Sequence, residues 1–298
     1  MNEVSYFDSM RKKHLSPQRQ GEYIYISTED MGEVEGVLHL RYSDFINGNY
    51  HPTRLHLDDK KRKIPRIDKW IGLFPHIEIL ALSRDLIPFQ CTNLDNLRTF
   101  ILSNFCDEKL LNRASDYSWA EYQIMPNVTF YLNAESQGIY DIGGITSNNL
   151  PNLEWLQCNL DNKGNTLEII REFKKLTSLD VNFVKNQDIF GAFDNRLRVL
   201  AMGGFTKNSS LKEIRNQTNL EIICINGYKS EFDLEWLLDL NLKEIQLISC
   251  PNILNADCLL EMEYLESIYI LDCKKSLSKN LKSRLRERTF VYLDIGHF

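Results

Sequence analysis

Leu153-Glu154-Trp155-Leu156-Gln157-Cys158 places apolar residues in the pattern L-x-x-L-x-L, and the same spacing returns along most of the chain. Ile77/Leu80/Leu82, Leu97/Phe100/Leu102, Val128/Tyr131/Asn133, Leu153/Leu156/Cys158 and Leu176/Leu179/Val181 fall in three columns. Leu197/Leu200/Met202, Leu220/Ile223/Ile225, Leu242/Ile245/Leu247 and Leu265/Ile268/Ile270 continue them, and only Asn133 departs from the apolar rule. The middle column advances by 20, 31, 25, 23, 21, 23, 22 and 23 residues. A single match can arise in any amphipathic segment, but nine at a nearly constant interval describe a stack of like units, each burying its apolar side against its neighbours.

This pattern resembles the leucine-rich repeat family over residues 71 to 273. The resemblance implies an α/β solenoid, a horseshoe in which every repeat gives one short strand to a parallel concave sheet and returns by a helix or loop on the convex side. It says little about function, because this architecture serves many unrelated partners. The family usually places Asn or Cys three residues after the last apolar column. Here those positions are Asp85, Phe105, Ser136, Asp161, Val184, Phe205, Tyr228, Cys250 and Cys273. Only the last two fit, so the array reads as degenerate, with final repeats of the cysteine-containing kind.

Three parts are expected: an N-terminal cap over residues 1 to 70, the repeat array over 71 to 273, and a basic C-terminal cap over 274 to 298. The cap holds strand-like alternation at Tyr23-Ile24-Tyr25-Ile26, Val37-Leu38-His39-Leu40 and Arg54-Leu55-His56-Leu57, and its two L-x-L pairs read as candidate degenerate repeats. His39 and His56 hold equivalent places in those pairs, but two histidines do not close a metal site. Lys60-Lys61-Arg62-Lys63 follows Asp58-Asp59 in a region of balanced charge, so it reads as a solvated loop rather than a nucleic-acid patch. Helix-forming composition from Asp107 to Tyr122 predicts a longer return segment. Gly143-Gly144 lacks the companions of a phosphate-binding loop.

Short return helices are expected over Thr166–Phe173, Asp233–Leu238 and Ala256–Met262, with Trp236 in the core. At the far end, Leu277, Leu281 and Leu285 give one apolar stripe, and Thr289–Leu293 reads as a closing strand.

Composition narrows the classes of function. Hydrophobic residues make up 43% and charged residues 26% of the chain, as in ordinary folded proteins. No apolar run is long enough to span a membrane. No apolar stretch follows Arg11-Lys12-Lys13 as a secretory signal would require, so a cytoplasmic location is expected. The seven cysteines are odd in number and contain no C-x-x-C pair, which points to reduced thiols and to neither a disulfide framework nor a metal centre. No cofactor is expected.

Strand alternation turns the residues between the apolar columns to the concave face. They lack a nucleophile-base pair or a carboxylate pair, so acid-base catalysis is not expected there; an enzyme would need an unusual site near His39 and His56. They do hold large apolar groups where water is expected, and such patches mark partner surfaces. The candidate partner-binding residues are Phe130, Leu132, Trp155, Gln157, Asp180, Asn182, Ile222, Glu244, Gln246 and Tyr269, with Ile248 and Leu271 beside them.

Residues 67 to 273 hold 17 Lys or Arg against 29 Asp or Glu, while residues 274 to 298 hold 7 against 2. An acidic array repels nucleic acid and steers towards a basic protein. The expectation is a non-enzymatic protein-binding module, of the kind a cytosolic bacterium uses as an immunity protein to sequester a basic toxin. A substrate adaptor is the alternative within the binding class.

Overall fold

The computed structural model describes residues 5–27, 34–58, 67, 70–83, 93–103, 124–134, 145–160, 165–182, 184, 189–206, 209–273, 277–287 and 290–294. Lys60–Lys63, the segment from Cys106 to Gln123, the Gly138–Gly144 loop, and Cys91 lie outside these residues. The chain forms two compact units. The first comprises Arg11–Cys158 with Glu172–Lys175, and the second Met1–Met10, Asn159–Arg171 and Leu176–Phe298.

In the first unit the strands are β1 (Glu22–Ser27), β2 (Leu38–Leu40), β3 (Pro52–Asp58), β4 (Ile79–Ser83), β5 (Thr99–Ser103), β6 (Phe130–Ala134) and β7 (Trp155–Asn159). They lie in the order β2-β1-β3-β4-β5-β6-β7, and every pair is parallel. The register joins like with like: Leu55 faces Leu80, Leu80 faces Phe100, Phe100 faces Tyr131, and Tyr131 faces Leu156. All five are fully buried. Parallel pairing at a repeat interval stacks each column residue on its counterpart, which is why the columns had to stay apolar. Asn133, the one polar column residue, is buried as well.

Before β3 the regular progression breaks, because β1 pairs with both β3 and β2 and places the short β2 at the edge. Leu38/Leu40 and Leu55/Leu57 therefore flank Ile24/Ile26 rather than following one another as neighbouring repeats. A helix, α2 (Tyr42–Asn47), connects β2 to β3 and buries Phe45 against Trp70 and Phe74.

The second unit contains β8 (Ser178–Asn182), β9 (Val199–Gly203), β10 (Ile222–Asn226), β12 (Glu244–Ile248), β14 (Ser267–Leu271) and β15 (Phe290–Asp294), ordered β8-β9-β10-β12-β14-β15. These pairs are again parallel, with Leu179, Leu200, Ile223, Ile245 and Ile268 aligned in one buried row. The expected return helices are short. Asn165–Arg171 forms α3, while Leu234–Leu237 and Ala256–Leu260 are single 3-10 turns. Asp233 caps the first of these turns by accepting the Glu235 amide at 3.0 Å. Two-residue strands β11 (Phe232–Asp233) and β13 (Ile253–Leu254) pair on the return side. Trp236 is half-buried there, its ring 5.8 Å from that of Phe232. The end of the chain matches its pattern: α4 (Lys279–Arg286) buries Leu281 and Leu285, Leu277 is buried before it, and β15 closes the sheet.

Two ladders hold the turns. A left-handed residue directly follows each of four strands: Gly204 (φ 66°), Gly227 (φ 76°), Ser249 (φ 52°) and Asp272 (φ 50°). Glycine takes this conformation without strain, while the Ser249 hydroxyl donates to Asp272 Oδ2 at 2.9 Å. Next to these stand Cys250 and Cys273, both buried. The Cys250 amide donates to Cys273 Sγ at 3.2 Å, and both thiols lie within 3.5 Å of strand carbonyls.

The second ladder uses the asparagine just before the first apolar column. Asn96 Nδ2 donates to Pro75 O, Asn127 to Asp95 O, Asn152 to Pro126 O and Asn219 to Asn195 O, all at 2.6 to 2.8 Å. An asparagine ladder is thus present, but at the strand entrance and not at the exit where it was sought.

Among the described residues no helix is long and apolar enough to cross a membrane, and no cluster of three or more His, Cys, Asp or Glu is placed to hold a metal ion.

Candidate functional site

The face of each sheet opposite the leucine columns is where partner contacts were expected, and in both units the N-terminal stretch of the chain covers part of it. That stretch begins with Ser5-Tyr6-Phe7-Asp8. Ser5 Oγ accepts the Asp8 amide at 3.0 Å, as an N-cap hydroxyl does, and donates to Asp8 Oδ2 at 2.8 Å. Helix α1 (Tyr6–Leu15) follows. The S-x-x-D signal was present in a segment that otherwise read as polar and featureless.

In the second unit the start of α1 rests on Glu244. This carboxylate is completely buried, and it accepts the amide of Tyr6 at 2.7 Å and that of Phe7 at 3.2 Å. Ser267 Oγ and Gln246 Nε2 also donate to it, at 2.9 and 2.7 Å. Four donors satisfy a charge that burial would otherwise make costly, and two of them are orphan amides of a helix N-terminus, where negative charge is favoured. The Tyr6 hydroxyl reaches Glu266, and Phe7 is buried. Burial, with Asp180, Glu244 and Asp8 nearby, pushes the Cys224 thiol up to about 12, so it stays protonated and unreactive at neutral pH.

In the first unit the end of α1 and the chain beyond it rest on an aromatic and apolar surface. The His14 ring stacks on Phe130 with centroids 5.1 Å apart and lies 5.7 Å from that of Trp155. Leu15 packs with Leu132 against Ile79, Ala81 and Ile101. Thr99 Oγ1 donates to His14 O at 2.5 Å, and Arg54 Nη1 to Leu15 O at 3.4 Å. Glu78, also buried, accepts the amides of Gln18 at 2.6 Å and Arg19 at 3.0 Å and pairs with Arg98 at 2.6 Å. Burial works against its charge, but the Gln18 amide and the Arg98 guanidinium outweigh burial and hold the carboxyl below its ordinary range. His14 is pushed down by burial and by the charges of Arg98 and Lys13.

The expectation that the apolar candidates meet solvent needs correction. Phe130, Trp155 and Ile222 are buried, at 0%, 1% and 4% exposure, and the polar candidates Glu244 and Gln246 are buried as well. For Phe130 and Trp155 the reason is the His14 ring; for Glu244 it is the start of α1. Leu132, Gln157, Asp180, Asn182 and Tyr269 are half-buried, as are Ile248 and Leu271. In the second unit Tyr269 sits in an aromatic row with Phe290 and Tyr292, whose ring centroids lie 5.7 and 6.1 Å from its own.

His39 and His56 do fall in one row, each paired in register with Tyr25, but Tyr25 stands between them. Its ring is 5.2 Å from His39 and 4.4 Å from His56, and its hydroxyl donates to Asp58 at 3.2 Å. Burial and Arg54 push His56 down to about 4, away from the range useful to a general acid or base near neutrality.

No known family model matches the chain, and no curated protein matches it. Among solved structures it is similar to an internalin from Listeria monocytogenes, at 17% sequence identity and a TM-score of 0.47 over 82% of this chain and 74% of that one. The leucine-rich-repeat assignment accordingly rests on the chain's own strand order and on the buried columns that the register aligns.

Proposed function

We propose that this chain is a non-enzymatic protein-binding module that holds a helical stretch of a basic protein on the sheet face opposite its leucine columns. The observation that carries this reading is that in each unit the face already holds main-chain amides of the chain's own N-terminal stretch, those of Tyr6 and Phe7 on Glu244 in the second and those of Gln18 and Arg19 on Glu78 in the first. In the first unit a Phe130–Trp155 surface also takes the His14 ring. Backbone amides are common to every peptide, so the chemistry suits a protein ligand rather than a small metabolite. The acidic balance of residues 67 to 273 favours a basic partner. Sequestration of such a partner in the cytoplasm, as by an immunity protein facing a basic toxin, is the specific role we put forward.

The test is affinity capture with the full chain at two salt concentrations, followed by titration of the purified partner against Trp155→Ala. A buried aromatic anchor of this kind contributes about 2 kcal/mol or more, so binding should weaken roughly 30-fold. Unchanged affinity in a folded Trp155→Ala variant would remove the face from the function.

A further inference from the structure

We infer that Cys250 and Cys273 form a dithiol site that a peroxide closes into a disulfide, tying together the β12 and β14 repeats of the second unit. Both residues belong to that unit, and both are free thiols, as are Cys158, Cys224 and Cys258. Register sets this pair apart. Ile248 of β12 pairs with Leu271 of β14, a left-handed residue follows on each segment, and each cysteine comes next. Neighbouring strands lie about 4.8 Å apart, inside the span of about 4.4 to 6.8 Å that a disulfide bridges between Cα atoms. The side chains already converge, because the Cys250 amide donates to Cys273 Sγ at 3.2 Å and the two thiols are hydrogen-bonded to each other. The equivalent places in the preceding repeats of this unit hold Val184, Phe205 and Tyr228, so among the described residues of this unit the pair stands at one interface only.

The two sulfurs are not equivalent. Cys273 accepts from the Cys250 thiol, which holds it below the ordinary thiol value; burial and Asp272 work against this, while the Cys250 amide and the charge of Lys229 add to it. Lys229 is placed there by donating to Ser249 O at 3.1 Å. Cys250 is pushed up, by its donation to Cys273 and then by burial. Cys273 is therefore the sulfur that attacks, and Cys250 the one that resolves. The carbonyls of Leu247 and Leu271 lie 3.4 and 3.2 Å from Cys273 Sγ and favour its S–H form, so reaction starts from the minor ionised fraction.

One peroxide balances the step. The Cys273 thiolate attacks a peroxide oxygen, the O–O bond breaks, and the sulfur becomes a sulfenic acid while hydroxide leaves and takes up the thiol's proton as water. The Cys250 sulfur then attacks the sulfenic sulfur, the S–O bond breaks, and a second water leaves with the Cys250 proton. Two thiols are oxidised to one disulfide and one hydrogen peroxide is reduced to two waters. The pair is buried, so a small oxidant suits it better than a bulky disulfide reagent. The bond closes a loop between residues 23 apart and holds the β14 repeat, on which the closing strand β15 pairs, against β12.

Peptide mapping of the full chain tests this. After treatment with millimolar hydrogen peroxide, alkylation and cleavage after glutamate, the sites at Glu261, Glu263 and Glu266 separate the two cysteines, so their fragments should stay joined until a reductant is added. The join should be lost in Cys250→Ser and kept in Cys258→Ser, which excludes the other cysteine of the same fragment. A sulfenic-acid probe should label Cys273 in Cys250→Ser roughly 10-fold more than it labels Cys250 in Cys273→Ser. The thermal midpoint of the oxidised wild-type chain should rise by about 4 °C or more and return on reduction.

Fragments that separate without reductant in the treated wild-type chain would overturn the inference, and this result needs no variant to fold. A join that survives in Cys250→Ser would place the bond elsewhere and overturn it as well. Equal labelling of the two sulfurs would overturn the assigned order, and a midpoint that falls on oxidation would overturn the tie. None of these readouts involves a partner, so failure of the binding reading leaves them untouched.

Discussion

Leu179 lies in the middle of β8, fully buried and in register with Leu200 of β9, and it shows what a column position contributes. Truncating it removes the transfer energy of the side chain and leaves a cavity that parallel neighbours cannot close, so Leu179→Ala should cost about 2 to 5 kcal/mol. Urea denaturation followed by circular dichroism measures this, and a loss within error of zero would mean that the column is not core.

His56 gives the second prediction at this scale. Its pKa falls from the ordinary 6.5 to about 4 on folding, so the unfolded chain takes up its proton first as the solution is acidified. Its contribution is fully present above pH 6.5 and is lost as the pH falls towards 4. The groups around it, Tyr25, Arg54 and Asp58, offer no relief, since Arg54 opposes the charge and Asp58 is engaged by Tyr25. Urea midpoints at pH 7.5 and 4.5 should differ by more in the wild-type chain than in His56→Gln; equal differences would refute the assignment.

At the scale of the element, the start of α1 covers part of the second unit's sheet face. Its start is capped by the Ser5 hydroxyl, which accepts the Asp8 amide, and rests on the Glu244 carboxylate. Ser5→Ala should cost about 1 kcal/mol of local docking, as cap removals do, and should leave global stability nearly unchanged. The readout is faster amide exchange within residues 6–15 at a constant urea midpoint. A matching fall in the midpoint would show that the helix unfolds only together with the sheet. Glu78 adds a pH handle: its lowered pKa means that the stabilisation from its anchoring of Gln18 and Arg19 is fully present above its ordinary range and is lost as the pH falls below that range through the lowered folded-state value. The strands differ in kind from α1, because their burial is in the leucine columns and does not use these acids.

At the scale of the whole molecule, the sequence balances an excess of acid in the repeats against an excess of base in the last 25 residues. If a basic partner is drawn to the repeats, long-range attraction should dominate its association rate and weaken with salt. Asp180, half-buried on β8, is suited to test this. Asp180→Lys should slow association several-fold at low salt and flatten the salt dependence while changing dissociation little, as surface plasmon resonance would report. Glu244 is not suited to the same test. Reversing a buried carboxylate that holds two helix amides would disturb α1 as well as the field.

The repeat columns alone marked the strands from β4 to β14 on the main sheet, their parallel pairing within each unit and the buried leucine columns, because a residue repeated at a fixed interval must meet its own copies once the units stack. The stripe at Leu277, Leu281 and Leu285 likewise marked the closing helix. Three things were decided only by tertiary structure. The place of β1 between β2 and β3 follows from pairing, which alternation of side chains does not encode. The entrance ladder of Asn96, Asn127, Asn152 and Asn219 uses main-chain acceptors one repeat away, invisible to a search of the exit position. The burial of Phe130, Trp155 and Glu244 comes from residues 5–19, which carry few apolar groups and hence little periodicity. Their hold on the sheet runs mostly through backbone amides, and backbone amides leave no trace in a sequence.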